Sequence, residues 1–160
     1  MFRGGSYKSC RQLATSSDFD CHHLIARGAL LRWYKSMKHT RFTKFLSYKS
    51  QNWAPSIMMT HEDHMKTLSY CGRDVSNVKK KEAHEYIETQ SKRLIEAGDI
   101  IHVLEDEVKA IEELFGSKYK EAIEEMWLYF YSLNPKRTET LLTFINPNIH
   151  NFTFRYVFSL

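Results

Sequence analysis

The residues in this chain best suited to chemistry are histidines in a fixed order. His22 and His23 are adjacent, Asn52 follows in a segment that contains Pro55, and His61 and His64 stand three residues apart just after it. With eight histidines in 160 residues, one adjacent pair is unsurprising by itself, so order and context carry the reading. Hydrolysis of a phosphodiester needs a base to deprotonate water, a Lewis acid for charge building on the phosphate, and stabilisation of the leaving oxygen. One histidine as base and its neighbour as metal ligand would supply the first two. Successive side chains of a strand point to opposite faces, so an adjacent pair converges on one site only through a bend or bulge. A helix N-terminus then adds a third ligand, together with free N–H groups and a positive dipole that suit a phosphate.

The elements that must position these residues can be read from local pattern. Aromatic, Cys, His and β-branched residues over 19–25 predict a short strand, and apolar residues at Leu30, Leu31, Trp33, Tyr34 and Met37 predict a short helix over 29–37. Pro55 lacks a donor and pushes Ala54 into an extended conformation, so residues 52–59 read as extended. Thr60-His61-Glu62-Asp63 fits a capping box, with Thr60 as N-cap, which predicts a helix from His61 to about Ser69 closing near Gly72. Three further helices follow: 79–97 ending at Gly98, a second capped by Asp99 and running through Phe115, and a third capped by Ser117 and running through about Tyr131 until Pro135 stops it. Residues 141–145 and 152–158 read as strands around Asn146-Pro147-Asn148.

Three strings together resemble a known family: His22-His23-Leu24, then Asn52-Trp53-Ala54-Pro55-Ser56-Ile57-Met58, then Asp63-His64-Met65-Lys66-Thr67-Leu68-Ser69-Tyr70. They are similar to HNH (His-Me finger) nuclease domains found at the C-termini of bacterial polymorphic toxins, and the similarity continues through Tyr86…Gln90…Leu94-Ile95…Gly98 and then Phe115-Gly116-Ser117-Lys118-Tyr119…Ala122-Ile123. The resemblance implies an α+β fold with a ββα-metal core, followed by a helical hairpin or three-helix segment. It implies a metal-dependent endonuclease, DNA preferred, holding one divalent ion (Zn2+, Mg2+ or Mn2+). His23 would be the general base, Asn52 would hold that base by hydrogen bonding, and His22, His64 and His61 would bind the metal. Asp20 or Cys21 stands beside His22 as an alternative ligand. The two helix histidines are spaced HxxH, where nuclease colicins have HxxxH, and Leu24-Ile25-Ala26-Arg27 occupies the place of a usual proline. Delivery into a target cell as part of a secreted toxin, and an immunity or inhibitor protein as partner, come with the same resemblance.

Charge points the same way. Residues 1–81 carry 15 Lys and Arg against 5 Asp and Glu, whereas residues 82–160 carry 8 against 14. The basic half either meets a polyanion or is an ordinary solvated surface. Basic residues from Arg27 to Lys49 alternate with aromatics, which suits phosphate contact with base stacking and equally an amphipathic element with extended Lys and Arg stems. Arg27, Lys49, Lys66 and Thr67 are the candidate nucleic-acid contacts. Glu62 and Asp63 suit helix capping better than metal binding. The expected organisation is a flexible lead over 1–17, a basic core over 18–78, an acidic helical segment over 79–132 and a β-hairpin tail over 133–160.

No run of about 18 apolar residues is present, and the start has no apolar stretch after its basic residues, so a soluble, cytoplasmic or delivered protein without a signal peptide is expected. Three cysteines without CxxC spacing argue against a disulfide scaffold or zinc ribbon and read as reduced thiols. Two other readings remain open. One is a non-catalytic zinc-stapled module built on Cys21, His22, His61 and His64 that binds nucleic acid or protein. The other is a helical interaction protein whose acidic helices do the work or cover the basic half.

Overall fold

The computed structural model describes residues 1–36 and 48–133. Strand β1 (Gly4–Ser6) leads into helix α1 (Tyr7–Leu13), then come strand β2 (Phe19–His23) and helix α2 (Arg27–Ser36). A 3-10 turn (Tyr48–Trp53) precedes strand β3 (Pro55–Thr60), which runs directly into helix α3 (His61–Lys66). Helices α4 (Asn77–Ala97), α5 (Ile100–Phe115) and α6 (Lys120–Ser132) complete the described chain, with a 3-10 turn (Gly116–Tyr119) before the last. The fold is α+β: a three-stranded antiparallel sheet in the order β1-β3-β2, packed against helices.

Sheet register fixes what each strand residue faces. Asp20 stands opposite Met59, Cys21 opposite Met58, His22 opposite Ile57 and His23 opposite Ser56, with no interruption. Cross-strand partners share a face. Asp20, His22, Ile57 and Met59 therefore point one way, and Cys21, His23, Ser56 and Met58 the other. Both faces are covered, which is why β3 is buried over five of its six residues. Helix α1 lies on the Cys21–His23 face, tied by the Tyr7 N–H to the Ala54 carbonyl at 2.9 Å. Helix α6 packs against β1 and β3 so closely that a Cβ on Gly4 would sit 1.8 Å from the Ala122 carbonyl oxygen, and Gly4 N–H donates to Glu125 at 2.9 Å.

Local signals explain most helix ends. Thr60 Oγ1 accepts from Asp63 N–H, so α3 begins where its cap lies. The reciprocal half of the capping box is absent, because Thr60 N–H donates to the Tyr119 hydroxyl and the Asp63 carboxylate receives Lys118, Tyr119 and Lys66. Burial pushes the Asp63 pKa up, but those three donors outweigh it and hold the carboxyl at about 2. Gly98, with φ +63°, ends α4 in a left-handed cap, and the Asp99 side chain caps α5. One hydrophobic cluster joins Leu24, Ile57 and Met59 to Leu94, Leu104, Ile111 and Met126. The acidic helices and the basic half thus share a core.

Several expectations need correction. Residues 4–13, read as part of a flexible lead, are a paired strand and a packed helix with Cys10 fully buried. Of the glycines that suggested looseness, Gly4 is the one that lets α6 approach, while Gly5 takes a positive φ of +144°. Asn52 lies in a 3-10 turn and not in an extended segment, since β3 starts only at Pro55. Helix α3 ends at Lys66, shorter than expected, because the Thr67 backbone turns extended and its hydroxyl donates back to the His64 carbonyl at 2.8 Å. Ser117 does not cap α6; it falls inside the 3-10 turn that begins at Gly116. The expected tail strands and Pro135 lie outside the described residues. Among the described residues, no helix is long and apolar enough to cross a membrane.

Candidate metal centre

His22 is the most deeply placed of the expected site residues. Its side chain is 1% exposed, and its Nε2 lies 2.8 Å from Oε1 of Glu107, itself 1% exposed. The other carboxylate oxygen of Glu107 receives the Tyr86 hydroxyl at 2.6 Å and Gln90 Nε2 at 3.3 Å, while Gln90 Oε1 accepts the Ala26 N–H at 3.0 Å. Tyr86 and Gln90 come from one face of α4 and Glu107 from α5, so the acidic helices furnish the cradle that fixes the His22 ring. Burial, followed by the Glu107 charge, pushes the Tyr86 hydroxyl well above its ordinary pKa and keeps it a donor.

The first turns of α3 set two more imidazoles beside it. His64 Nδ1 lies 2.9 Å and His61 Nδ1 2.7 Å from the same oxygen of Asp20. The His22 and His64 rings meet edge to face with centroids 5.2 Å apart, and Tyr70 closes on His64 at 4.8 Å. Burial, then the neighbouring His22, pushes the His64 pKa down to about 4 despite Asp20, so the ring is neutral at pH 7 and donates from Nδ1. His61 is half exposed; its hydrogen bond to Asp20 raises its pKa, with Asp74 3.7 Å from Nε2 adding to the effect. Burial acts to raise the Asp20 pKa, but the hydrogen bonds from His64 and His61 prevail and lower it.

The donor chemistry fits a divalent transition metal. His22 has one ring nitrogen on Glu107 and His64 has one on Asp20; nothing among the described residues hydrogen-bonds the second nitrogen of either ring. A histidine held by a carboxylate through one nitrogen, leaving the other as a lone pair, is the arrangement that orients metal ligands. Imidazole donors suit Zn2+ better than Mg2+, which prefers oxygen. As the side chains stand, no three His, Cys, Asp or Glu groups among the described residues form a ready coordination set.

His23 is not part of this cluster. Because β2 keeps its register through His23, with no bulge, the adjacent pair splits across the sheet. The His23 ring stacks on Tyr7 of α1, centroids 3.8 Å apart, and burial, then the nearby His22, lowers its pKa to about 4 against a hydrogen bond to the Gln51 backbone carbonyl. His23 Nε2 and Gln51 Nε2 are both buried without a hydrogen-bond partner among the described residues. Asn52, expected to hold the base, is exposed, and the backbone contact to His23 comes from its neighbour Gln51.

The expected nucleic-acid contacts scatter. Thr67 is buried and spends its hydroxyl on the His64 carbonyl, so it lines the end of α3. Lys66 pairs with Glu62 at 2.7 Å and Asp63 at 3.3 Å, yet its side chain is half exposed beside the cluster. Arg27 is exposed at the start of α2, and the Lys49 side chain lies outside the described residues. By the register of β2, Cys21 points to the sheet face opposite His22, so the four-ligand set of Cys21, His22, His61 and His64 is not assembled.

Glu107 and Asp74 have no place in the sequence reading, whereas Tyr86 and Gln90 stand in the string that continues the family resemblance. Tyr86 and Gln90 belong to the helical periodicity of α4, but nothing local marks Glu107 among the many acidic residues of its segment. Compared with known proteins, the chain matches no family model, no curated protein and no solved structure.

Proposed function

We propose that this chain is a divalent-metal-dependent endonuclease that hydrolyses nucleic-acid phosphodiester bonds, with DNA as the preferred substrate. The observation that carries the reading is the convergence of His22, His64 and His61 where β2 meets α3, with His22 held by Glu107 and His64 and His61 both held by Asp20. Strand β2, antiparallel strand β3 and helix α3 follow in the order of a ββα-metal core.

His22, His64 and His61 would hold the ion, with Glu107 and Asp20 fixing ring orientation and tautomer from behind. When bound, such an ion supplies Lewis acidity toward a phosphate oxygen and toward water. Lys66, beside the cluster and half exposed, would leave its carboxylate partners for a substrate phosphate. The role of base that the resemblance gives to His23 has no support in this geometry, since His23 faces α1 and is stacked. Purified protein incubated with plasmid and Zn2+ or Mn2+ should degrade it, and His64→Ala should not. No degradation by the wild type with any divalent metal would end the enzyme reading.

The near-complete burial of His22 favours a second reading, a structural metal site in a binding module. In that case chelation unfolds the protein and no nuclease activity accompanies the loaded form.

A further inference from the structure

The segment that follows α3 turns back beside the histidine cluster and is tied to α4 at two points. Lys79 Nζ donates to the Thr67 carbonyl at 2.9 Å, and Lys80 Nζ donates to the Arg73 carbonyl at 3.4 Å. Within the segment, the Tyr70 N–H donates to the same Thr67 carbonyl at 3.3 Å. Two side chains are brought to the cluster in this way. The Tyr70 ring lies 4.8 Å from the His64 ring and 6.5 Å from the His61 ring between centroids, and its hydroxyl donates to Asp74 Oδ1 at 2.9 Å. Gly72 borders that hydrogen bond. A Cβ there would lie 2.6 Å from Asp74 Oδ1 and closer still to the Tyr70 hydroxyl, so the bond needs the space that glycine leaves.

With Oδ1 held by Tyr70, Asp74 Oδ2 stands 3.7 Å from His61 Nε2, while His61 Nδ1 is on Asp20. That gap is too long for a hydrogen bond. It suits two donors on one ion, since metal–nitrogen and metal–oxygen bonds of about 2.1 Å put neighbouring donor atoms about 3–4 Å apart. Both side chains are about half exposed, so an ion can reach the gap from solvent. We propose that Asp74 is a ligand of the metal centre, its carboxylate oriented by the Tyr70 hydroxyl. This rests on the reading of His22, His64 and His61 as imidazole ligands and adds an anionic oxygen to them. The oxygen changes which ions the centre takes. Imidazole favours Zn2+, whereas a carboxylate among imidazoles also suits Mn2+. Tyr70 acts through Asp74 and is a positioning residue, and Gly72 keeps room for it. Glu62 offers a comparison of equal charge, on α3 itself, exposed and paired with Lys66.

Competition titrations of the purified chain with Mn2+ and with Zn2+, and the visible absorption of its Co2+-loaded form, test this. Asp74→Asn keeps the size and removes the charge. It should weaken Mn2+ binding about 100-fold and Zn2+ binding about 10-fold, and should alter the Co2+ spectrum. Tyr70→Phe and Gly72→Ala each break the Tyr70–Asp74 hydrogen bond, and each should weaken Mn2+ binding about 10-fold. Glu62→Gln should leave both affinities and the spectrum as in the wild type. Wild-type affinities with an unaltered Co2+ spectrum in Asp74→Asn would overturn the proposal and leave the imidazole site standing. Equal weakening by Glu62→Gln would also overturn it, because Asp74 would then act only as a distant charge. A wild type that binds no divalent ion would remove the imidazole site itself, and this ligand with it.

Discussion

The two faces of β2 carry similar residue types and do opposite things with them. On one face Asp20 and His22 meet His61, His64 and Glu107, and polar groups are satisfied through carboxylates. On the other, Cys21 and His23 face helix α1, and the imidazole is held mainly by stacking on Tyr7, with Nε2 buried and unpartnered among the described residues. Both faces keep an imidazole neutral at pH 7, His64 on one and His23 on the other. Neutrality therefore does not distinguish a ligand from a packed ring. The two rings differ in what holds them: the carboxylate on His64 fixes its tautomer, as the proposed metal site requires, whereas His23 is held by stacking.

Removing the carboxylate that serves the polar face should have the largest effect. Glu107→Ala leaves His22, Tyr86 and Gln90 facing an empty buried site, and the expected loss of stability is about 3–5 kcal/mol. Chemical denaturation measures it, and Glu107→Gln should lose markedly less. Equal, small losses for both variants would mean that the cradle is not what holds the helices to the sheet.

Acid should act on both faces at once. His23 and His64 have folded pKa values of about 4, below the ordinary 6.5, so the unfolded chain binds more protons between those values. Stability of the metal-free protein therefore rises with pH across that window and is lost as pH falls from 6.5 to 4, by about 2–3 kcal/mol per group. Melting curves across pH for His23→Phe and His64→Phe should each recover part of that loss. If His23→Phe melts with the same pH profile as wild type, His23 is not the buried neutral ring described.

Asp20→Asn separates the faces more finely. It should weaken Zn2+ binding about 10–100-fold by loosening His61 and His64, whereas Cys21→Ser, next in the chain and on the other face, should leave affinity unchanged. Zinc competition titration would show the contrast, and equal weakening in both would break it. The smallest effect expected is that of Tyr7→Leu, which keeps bulk but loses the stack on His23, for about 1 kcal/mol of stability and no change in zinc affinity.

Sequence made the helix boundaries legible where a single residue sets them. Gly98, Asp99 and Gly116 end or cap helices through their own backbone and side-chain chemistry, and Thr60 caps α3 as its motif predicts. Gly4 misled, because its use depends on α6 arriving from over a hundred residues away. The same distance hides Glu107, whose bond to His22 spans 85 residues and has no local signature. The split of His22 from His23 lay within reach of the pleat argument, which requires a bulge for convergence; the regular pairing through His23 decided the matter.

Zinc stoichiometry and affinity of the wild type, His64→Ala and His23→Ala test the central claim most directly. One ion bound by wild type and by His23→Ala, with binding lost in His64→Ala, is the predicted result. Unchanged zinc binding by His64→Ala, or its loss in His23→Ala with the fold intact, would contradict the account.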